Sequence, residues 1–596
     1  LLLGLFLHWP SLASGFRSDD YVQSAMVRGA FPVARSQLDL FDFADGTAHD
    51  NQRLGDFGHL PWWTNPALRL RMWRPLSSAL MALDFRLFGT QAGAMHLHSL
   101  AWFVVLLAAA GWLLSRTLPP AAASIAIVFY ALSPCHAVPV GWLANRSTLL
   151  ASALGFLAVD LQLRYRARAS KRLFALCAGV TGLALLAGEY ALCALTYALA
   201  FAALADDELD ARGRWRSALP VVLPLAAYLV LHSALGSDVI GSGFYLSPVR
   251  DPWLFTQAVV TRVPALAADL LFGVPSLYFN GSPPLRNQIL SLNLFSPEVW
   301  LALPDWRTWH VLIGYVAIAL GSWLVWRLVR RTERSHPLRW LSVGAAISVL
   351  PCAGSLPEDR LLEASTLGAS ALIASALLAG VPWLRAATTT HARLGRALLY
   401  GLLLWLPISA ARRSYAEAHA LSESAESARI WALDADLPST ASAATRVYVL
   451  AAGDFNTAVN LPWLRFMHGH ALPQSYRRLC PGPLPVDVTR SADRVLEVNI
   501  LTNALRGTAL PSLYRAADAP MHAGDHIELP GLVVDVLDVF QDNPSRVRFT
   551  FDRSIDDPTL WFLIASKDGL RHQAMPALHE TRRMPYAQFR DLRQAQ

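Results

Sequence analysis

Two aspartates, Asp19 and Asp20, stand side by side in FRSDDYVQS, just after the apolar run that opens the chain. An acidic pair at such a position can bind a divalent cation, act as general base toward a hydroxyl, or cap the helix that continues as YVQSAMVRGA. Base chemistry needs one ionised carboxylate within hydrogen-bond reach of the hydroxyl, and a second acid beside it can hold the acceptor or raise its neighbour's pKa. Three arginines stand apart from the rest: Arg74 in MWRPLSSALMALDFRLFG, Arg146 in SPCHAVPVGWLANRSTLL and Arg360 in PEDRLLEAS. Each can snorkel to headgroups, pair with an acid or hold a phosphate. His136, Trp142 and Asn145 share a Pro-broken turn with Arg146, and His96 and His98 open an apolar stretch as interfacial polar residues or as site residues. Glu189 falls between two apolar runs that leave almost no loop. A carboxylate there is costly unless it meets an arginine or a polar substrate.

The elements that must position these residues are membrane spans. In 596 residues, 54% are hydrophobic and only 16% charged, and the mean hydropathy is +0.33, too apolar for an ordinary soluble protein. Apolar stretches run from 95 to 115, 119 to 134, 147 to 163, 172 to 187, 189 to 205, 217 to 235, 308 to 329, 338 to 353, 363 to 384 and 393 to 411. The opening LLLGLFLHWPSLAS is shorter than the roughly 20 residues that cross a bilayer and reads as the outer end of a truncated first span, about eleven spans in all. A signal peptide is the competing reading, against the lack of a basic leader. The net charge of +7 comes from arginines clustered in short loops between apolar runs. That is the positive-inside pattern rather than a nucleic-acid groove. The arginine-rich composition, poor in lysine, suggests a GC-rich bacterial genome, hence an inner-membrane location.

Loops 164 to 172, 206 to 217, 325 to 339 and 384 to 396 carry most of the arginine near the spans and alternate correctly, so they face the cytoplasm. The outer side then receives a long stretch from about 15 to 93, the turn 133 to 147, the GEY junction at 188 to 190, a long stretch from about 236 to 307 and AGSLPEDRLLEAS at 353 to 365. Every unusual polar cluster of the membrane half therefore converges on one water-facing surface. We expect a transmembrane domain over residues 1 to 411, a helical linker over 412 to 440 and an extracytoplasmic α+β or β-rich domain over 441 to 596, where TRVYVLAA, HIELPGLVVDVLDVF, SRVRFTFD and TLWFLIAS read as strands. Five cysteines show no zinc spacing or disulfide framework; Cys135 and Cys352 fall on one side, so a bridge competes with buried free thiols. NRS at 145 to 147 and NGS at 280 to 282 are sequons of little weight in a bacterial chain. No Walker A loop, G-x-G-x-x-G or H-E-x-x-H occurs.

In order along the chain, Asp19-Asp20, Arg74-Pro75-Leu76, His96, Pro134-Cys135-His136 to Trp142 to Arg146-Ser147-Thr148-Leu149-Leu150, Gly188-Glu189 and Arg360-Leu361-Leu362-Glu363-Ala364-Ser365 resemble the GT-C superfamily of membrane glycosyltransferases. The likeness is to its protein O-mannosyltransferase branch, which includes tetratricopeptide-bearing members; no such repeats occur here. It covers residues 1 to 411. Departures are Val138 where an acid is usual, Ser99 for an Asn and Gly188 for a Lys. The resemblance implies an inverting hexosyltransferase that moves a sugar from a polyprenyl-phosphate donor to a hydroxyl on protein, lipid or cell-envelope polysaccharide. Asp19 and Asp20 would be catalytic, Arg74, Arg146 and Arg360 would bind the donor phosphate, and His96, His136, Trp142, Asn145 and Glu189 would bind or support the substrate. A divalent metal on Asp19 and Asp20 is compatible but not demanded. A transporter or flippase would place ionisable groups at mid-membrane in broken helices; here they gather at span ends, which favours an interfacial enzyme. A non-catalytic scaffold presenting the outer domain is the other alternative.

Overall fold

The computed structural model describes residues 1 to 596 except 206–209, 277–305, 331–335, 386–388, 438–443, 453–458, 481–484, 501–512, 517, 541–542, 567–568 and 585–596. The sequon at 280 to 282 and part of three arginine-rich loops lie outside the described residues.

Each of the eleven apolar stretches forms a helix: Leu2–His8, Ala92–Thr117, Pro120–Leu132, Ser147–Arg168, Lys171–Ala187, Tyr190–Leu204, Ala211–Ala234, Trp306–Val329, Pro337–Ser348, Glu363–Arg385 and Thr390–Leu433. Among the described residues five helices are long and apolar enough to cross a membrane, and Pro120–Leu132 with Pro134–Gly141 forms a further apolar pair bent by 51°. A second expectation needs correction. The stretch 236 to 307 is not loop throughout, because Pro252–Phe272 is a helix. Arg262 and Pro264 interrupt its apolar run in sequence, yet the Arg262 guanidinium donates to Ala353 O and Ser355 O at 3.1 and 2.8 Å. At its far end Asp269 pairs with Arg413 at 2.8 Å. Both attachments are to segments beside the turn that carries Arg360, and this helix is one of the five long and apolar enough to cross a membrane.

The C-terminal region is strand-rich as expected. A six-stranded antiparallel sheet runs in the order Thr581–Arg583, Val486–Ala492, Val495–Ile500, Asn543–Phe551, Leu532–Phe540, His526–Leu529. Alternating burial along Leu532–Phe540 is the period-2 pattern of a sheet with one covered face. A four-stranded sheet places Leu560–Ser566, Arg446–Ala451 and Ser475–Arg478 parallel, with Gly569–His572 antiparallel at one edge.

Two hydrophobic cores divide the buried residues. One joins the membrane helices. The other joins residues 16 to 95 with residues 432 to 584, so the first outer stretch packs with the C-terminal sheets. Trp62 Nε1 donates to Leu479 O at 3.1 Å and meets the Phe549 ring edge-on at 6.0 Å, and Arg478 donates to His59 O at 2.7 Å. Gly58 ends helix Ala48–Phe57 with φ +97°, and a Cβ there would stand 2.1 Å from Tyr476 O, so only glycine allows this approach. The helix Thr390–Leu433 runs unbroken through residue 411 to the outer sheets. A chain cut after residue 437 would expose Trp62, Trp63 and their neighbours. We expect it to be degraded or to elute as aggregate in size-exclusion chromatography, whereas the full chain elutes as one species.

Candidate active site

A cavity of about 650 Å³ opens at the sheet-bearing end of the bundle, and all five stretches expected on the outer side contribute to its wall. The first supplies Asp19 and Arg74, the second Trp142 and Asn145, the GEY junction Glu189 and Tyr190, the fourth Asp238 and Tyr245, and the fifth Ser355 and Arg360. A small sheet fastens two of them: Arg69–Arg71 pairs with both Asp42–Ala44 and Val239–Ile240. From there the chain crosses the cavity as a strap, held by Ala516 N to Gly241 O at 2.9 Å and by Leu246 N to Gly354 O at 2.7 Å. A Cβ on Gly354 would stand 2.8 Å from Leu246 O, so the glycine lets the strap lie close.

The two aspartates separate in role. Both occupy the first turn of helix Asp19–Val27, entered through Ser18 at φ +41°, one of three non-glycine residues with positive φ among the described residues. Such a backbone persists only where the surroundings impose it. Asp20 is fully buried, and its two oxygens accept from Arg17 N at 2.9 Å and Ala144 N at 2.8 Å. It thus ties the helix start to the turn bearing Trp142 and Asn145. Burial pushes its carboxyl up to about 7 against those two N–H groups, with the charge of Asp19 adding to the rise. Asp19 faces the cavity, with Ser18 Oγ 3.3 Å from its Oδ1. Burial pushes it up to about 6, against the Ser18 hydroxyl and the guanidiniums of Arg360 and Arg74. The pair does not converge on one point as a two-carboxylate cation site; among the described residues no three His, Cys, Asp or Glu side chains group for a metal.

The arginines also divide. Arg74 Nε donates to Glu189 Oε2 at 2.7 Å and Nη1 to Ser147 Oγ at 3.4 Å, with the guanidinium 4.8 Å from the Phe41 ring centre and 5.6 Å from that of Tyr190. Arg360 pairs with Glu358, reaches Tyr190 OH at 3.4 Å and lies 5.7 Å above the Trp142 ring. Each keeps N–H groups beyond those its carboxylate occupies, as an anion in the cavity requires. Arg146 is different. It is buried, pairs with Asp84 Oδ2 at 2.6 Å, and does not line the cavity. His98 Nδ1 joins Asp84 at 2.9 Å. Removing one member of a buried pair strands the other, so Arg146→Ala should cost about 3–5 kcal/mol of stability. A lowered detergent unfolding temperature, recovered by the apolar double variant Arg146→Met with Asp84→Leu, would check this.

Of the remaining expected residues, Trp142, Asn145 and Glu189 line the cavity and His96 and His136 do not. His96 lies buried between Val140 O at 3.2 Å and Gly15 O at 3.3 Å, joining the first two outer stretches. Tyr190, Tyr245, Phe41 and Asp238 were not anticipated. Tyr190 stands beside Glu189 in GEY, and Tyr245 lies in the Gly- and Pro-flanked GSGFYLSP, the kind of polar-aromatic loop in which sites are built. Burial pushes the Tyr245 phenol up to about 12, so it stays a neutral donor. All five cysteines are free. The neighbour of Cys352 is Cys193, with Sγ atoms 3.9 Å apart, rather than Cys135, which lies against His136.

No protein-family model matches the chain, and no curated protein sequence matches it. Among solved structures, the apo oligosaccharyltransferase of Archaeoglobus fulgidus aligns over 80% of this chain and 63% of its own, at 13% identity and a TM-score of 0.43. This chain thus spans under two thirds of that enzyme's length. ArnT from Cupriavidus metallidurans, solved with undecaprenyl phosphate, aligns over 79% of this chain and 84% of its own, at 15% identity and a TM-score of 0.38. The mycobacterial arabinofuranosyltransferase AftD aligns over 76% and 31%, at 14% identity and a TM-score of 0.32.

Proposed function

We propose that the chain is a GT-C-type membrane glycosyltransferase that moves a sugar from a polyprenyl-phosphate donor to an acceptor hydroxyl at the outer face of a bacterial inner membrane. The observation that carries this reading is that the Asp19 carboxylate shares a single cavity of about 650 Å³ with the guanidiniums of Arg74 and Arg360. A largely apolar cavity with a few converging polar groups suits a donor that is itself an anionic lipid.

The carboxylate of Asp19 takes the proton of the acceptor hydroxyl while that oxygen attacks the anomeric carbon. The bond from the anomeric carbon to the phosphate oxygen breaks, and the electron pair leaves with the phosphate. Arg74 and Arg360 neutralise the charge that develops there. A single displacement inverts the anomeric centre and needs no covalent nucleophile. Glu189 and Glu358 hold the guanidiniums in place, Asp20 fixes the helix start beneath Asp19, and Tyr190 spans the two arginines.

The purified chain should transfer label from one member of a panel of polyprenyl-phosphate sugars to cell envelope. Label in protein would favour O-mannosyltransferase-like chemistry; label in lipid or polysaccharide would move the acceptor to the cell envelope. No transfer from any donor, with the donors intact and the chain folded, would overturn the reading.

A further inference from the structure

His136 and Glu363 take no part in the cavity wall, yet they join the two turns that furnish it. His136 Nδ1 lies 3.5 Å from Glu363 Oε2, with both side chains at most 2% exposed. His136 closes the turn Pro134–His136, which continues through the short helix Ala137–Gly141 into Trp142 and Asn145. Glu363 opens the helix Glu363–Arg385, directly after the turn Asp359–Leu362 that carries Arg360. The same two turns meet again at the cavity, where the Arg360 guanidinium lies 5.7 Å above the Trp142 ring.

The hydrogen-bond inventory fixes what the buried contact is. His136 Nε2 is 2.8 Å from Tyr130 O, and a carbonyl only accepts, so Nε2 carries a hydrogen. A neutral ring would then turn a bare Nδ1 lone pair toward a carboxylate, which repels it. A proton on Nδ1 removes that repulsion and makes the contact with Glu363 attractive, drawing the two turns together; Cys135 Sγ, at 3.8 Å, is the other group beside Nδ1. Among the described residues neither Glu363 oxygen makes a hydrogen bond, so its contact with His136 is a buried charge-pair contact at 3.5 Å. Among the described residues His8, whose ring centre is 6.3 Å from that of His136, has no hydrogen-bond partner on either nitrogen.

We propose that His136 and Glu363 form a clasp that registers the Arg360 turn against the Trp142 turn, and so sets affinity for the phosphate-bearing donor. Both are positioning residues, and the functional half of this inference rests on the transfer reading above. His136→Gln keeps a donor for Tyr130 O and loses the contact to Glu363; Glu363→Gln keeps the shape and loses the charge. Each should raise the donor KM about tenfold with kcat within about twofold, and the double variant should resemble the singles, because both remove one shared interaction.

A second measurement does not need activity. In hydrogen exchange on the full chain in detergent, Glu363→Gln should speed exchange in residues 137 to 146, and His136→Gln in residues 358 to 363. Exchange changes confined to the substituted turn would overturn the clasp. Cross-exchange with an unchanged KM, or additive losses in the double variant, would overturn its role in donor affinity. A wild-type chain that transfers nothing sinks the proposed function, while the exchange arm still decides the clasp.

Discussion

Asp19→Asn lowers kcat by about 10²–10⁴-fold, the usual contribution of a positioned general base, without lowering the unfolding temperature. The amide keeps the size of the carboxylate and can still accept from Ser18 Oγ, 3.3 Å away, but cannot take a proton. Asp20→Asn behaves differently. One of its two oxygens becomes an NH₂ facing a backbone N–H of Arg17 or Ala144, leaving a buried donor unsatisfied at a cost of about 1–3 kcal/mol. Its signature is lost stability accompanied by a smaller loss of rate. Because the base works only when ionised, and burial holds Asp19 near 6, kcat/KM should be flat above that pH. Below it the rate should fall tenfold per unit. The pH profile of the wild type, together with unfolding curves of both variants, checks the assignment. Equal loss of kcat in both, with neither destabilised, would show that the two acids act as one unit.

Arg360→Ala and Arg74→Ala should each lower kcat/KM by about 10²–10³-fold, the scale set by removing one donor to a developing oxyanion. On the proposed reading the product phosphate would occupy the same subsite, so free polyprenyl phosphate should inhibit the wild type, and that inhibition should weaken in parallel in both variants. Lysine should restore only part of either loss. It is a point charge and cannot serve Glu189 or Glu358 and a phosphate in the plane that a guanidinium spans. Arg74→Ala also strands Glu189, its partner at 2.7 Å, and the double variant Arg74→Ala with Glu189→Gln separates that penalty from lost phosphate binding. Inhibition by polyprenyl phosphate that survives both arginine substitutions would place the anion elsewhere in the cavity.

Much of this arrangement is visible in sequence wherever it depends on local pattern. Apolar length marks the eleven helices, alternation marks the strand at 532–540 and short continuous apolar runs those at 446–451 and 560–566, and the sidedness of arginine loops assigns five stretches to one surface. Partnership between distant residues is not visible. Arg146 opens a span much as Arg360 precedes one, and only the burial of Asp84 beneath it distinguishes an occupied guanidinium from one that faces the cavity. The same limit applies to His136, whose acid is missing at Val138 and arrives instead from Glu363. The orientations of Asp19 and Asp20 were open for a related reason. They are decided by Ala144 N, a backbone group of another turn. The helix Pro252–Phe272 escaped notice because Arg262 and Pro264 break the apolar run that would announce it, whereas in the structure the carbonyls of Ala353 and Ser355 satisfy Arg262.

The shared outer core imposes an order of events on synthesis. The stretch bearing Asp19 and Arg74 emerges early, but the groups that pack it come last; the bond from Trp62 Nε1 to Leu479 O bridges 417 residues. Contacts so distant along the chain form late. Until the final sheets arrive, the first stretch waits with its tryptophans uncovered, a natural client for chaperones and proteases. The strap over the cavity is also fastened late, since Gly241 O accepts from Ala516 N, so on the proposed reading a prematurely terminated polypeptide has the lining residues but not the fastened pocket.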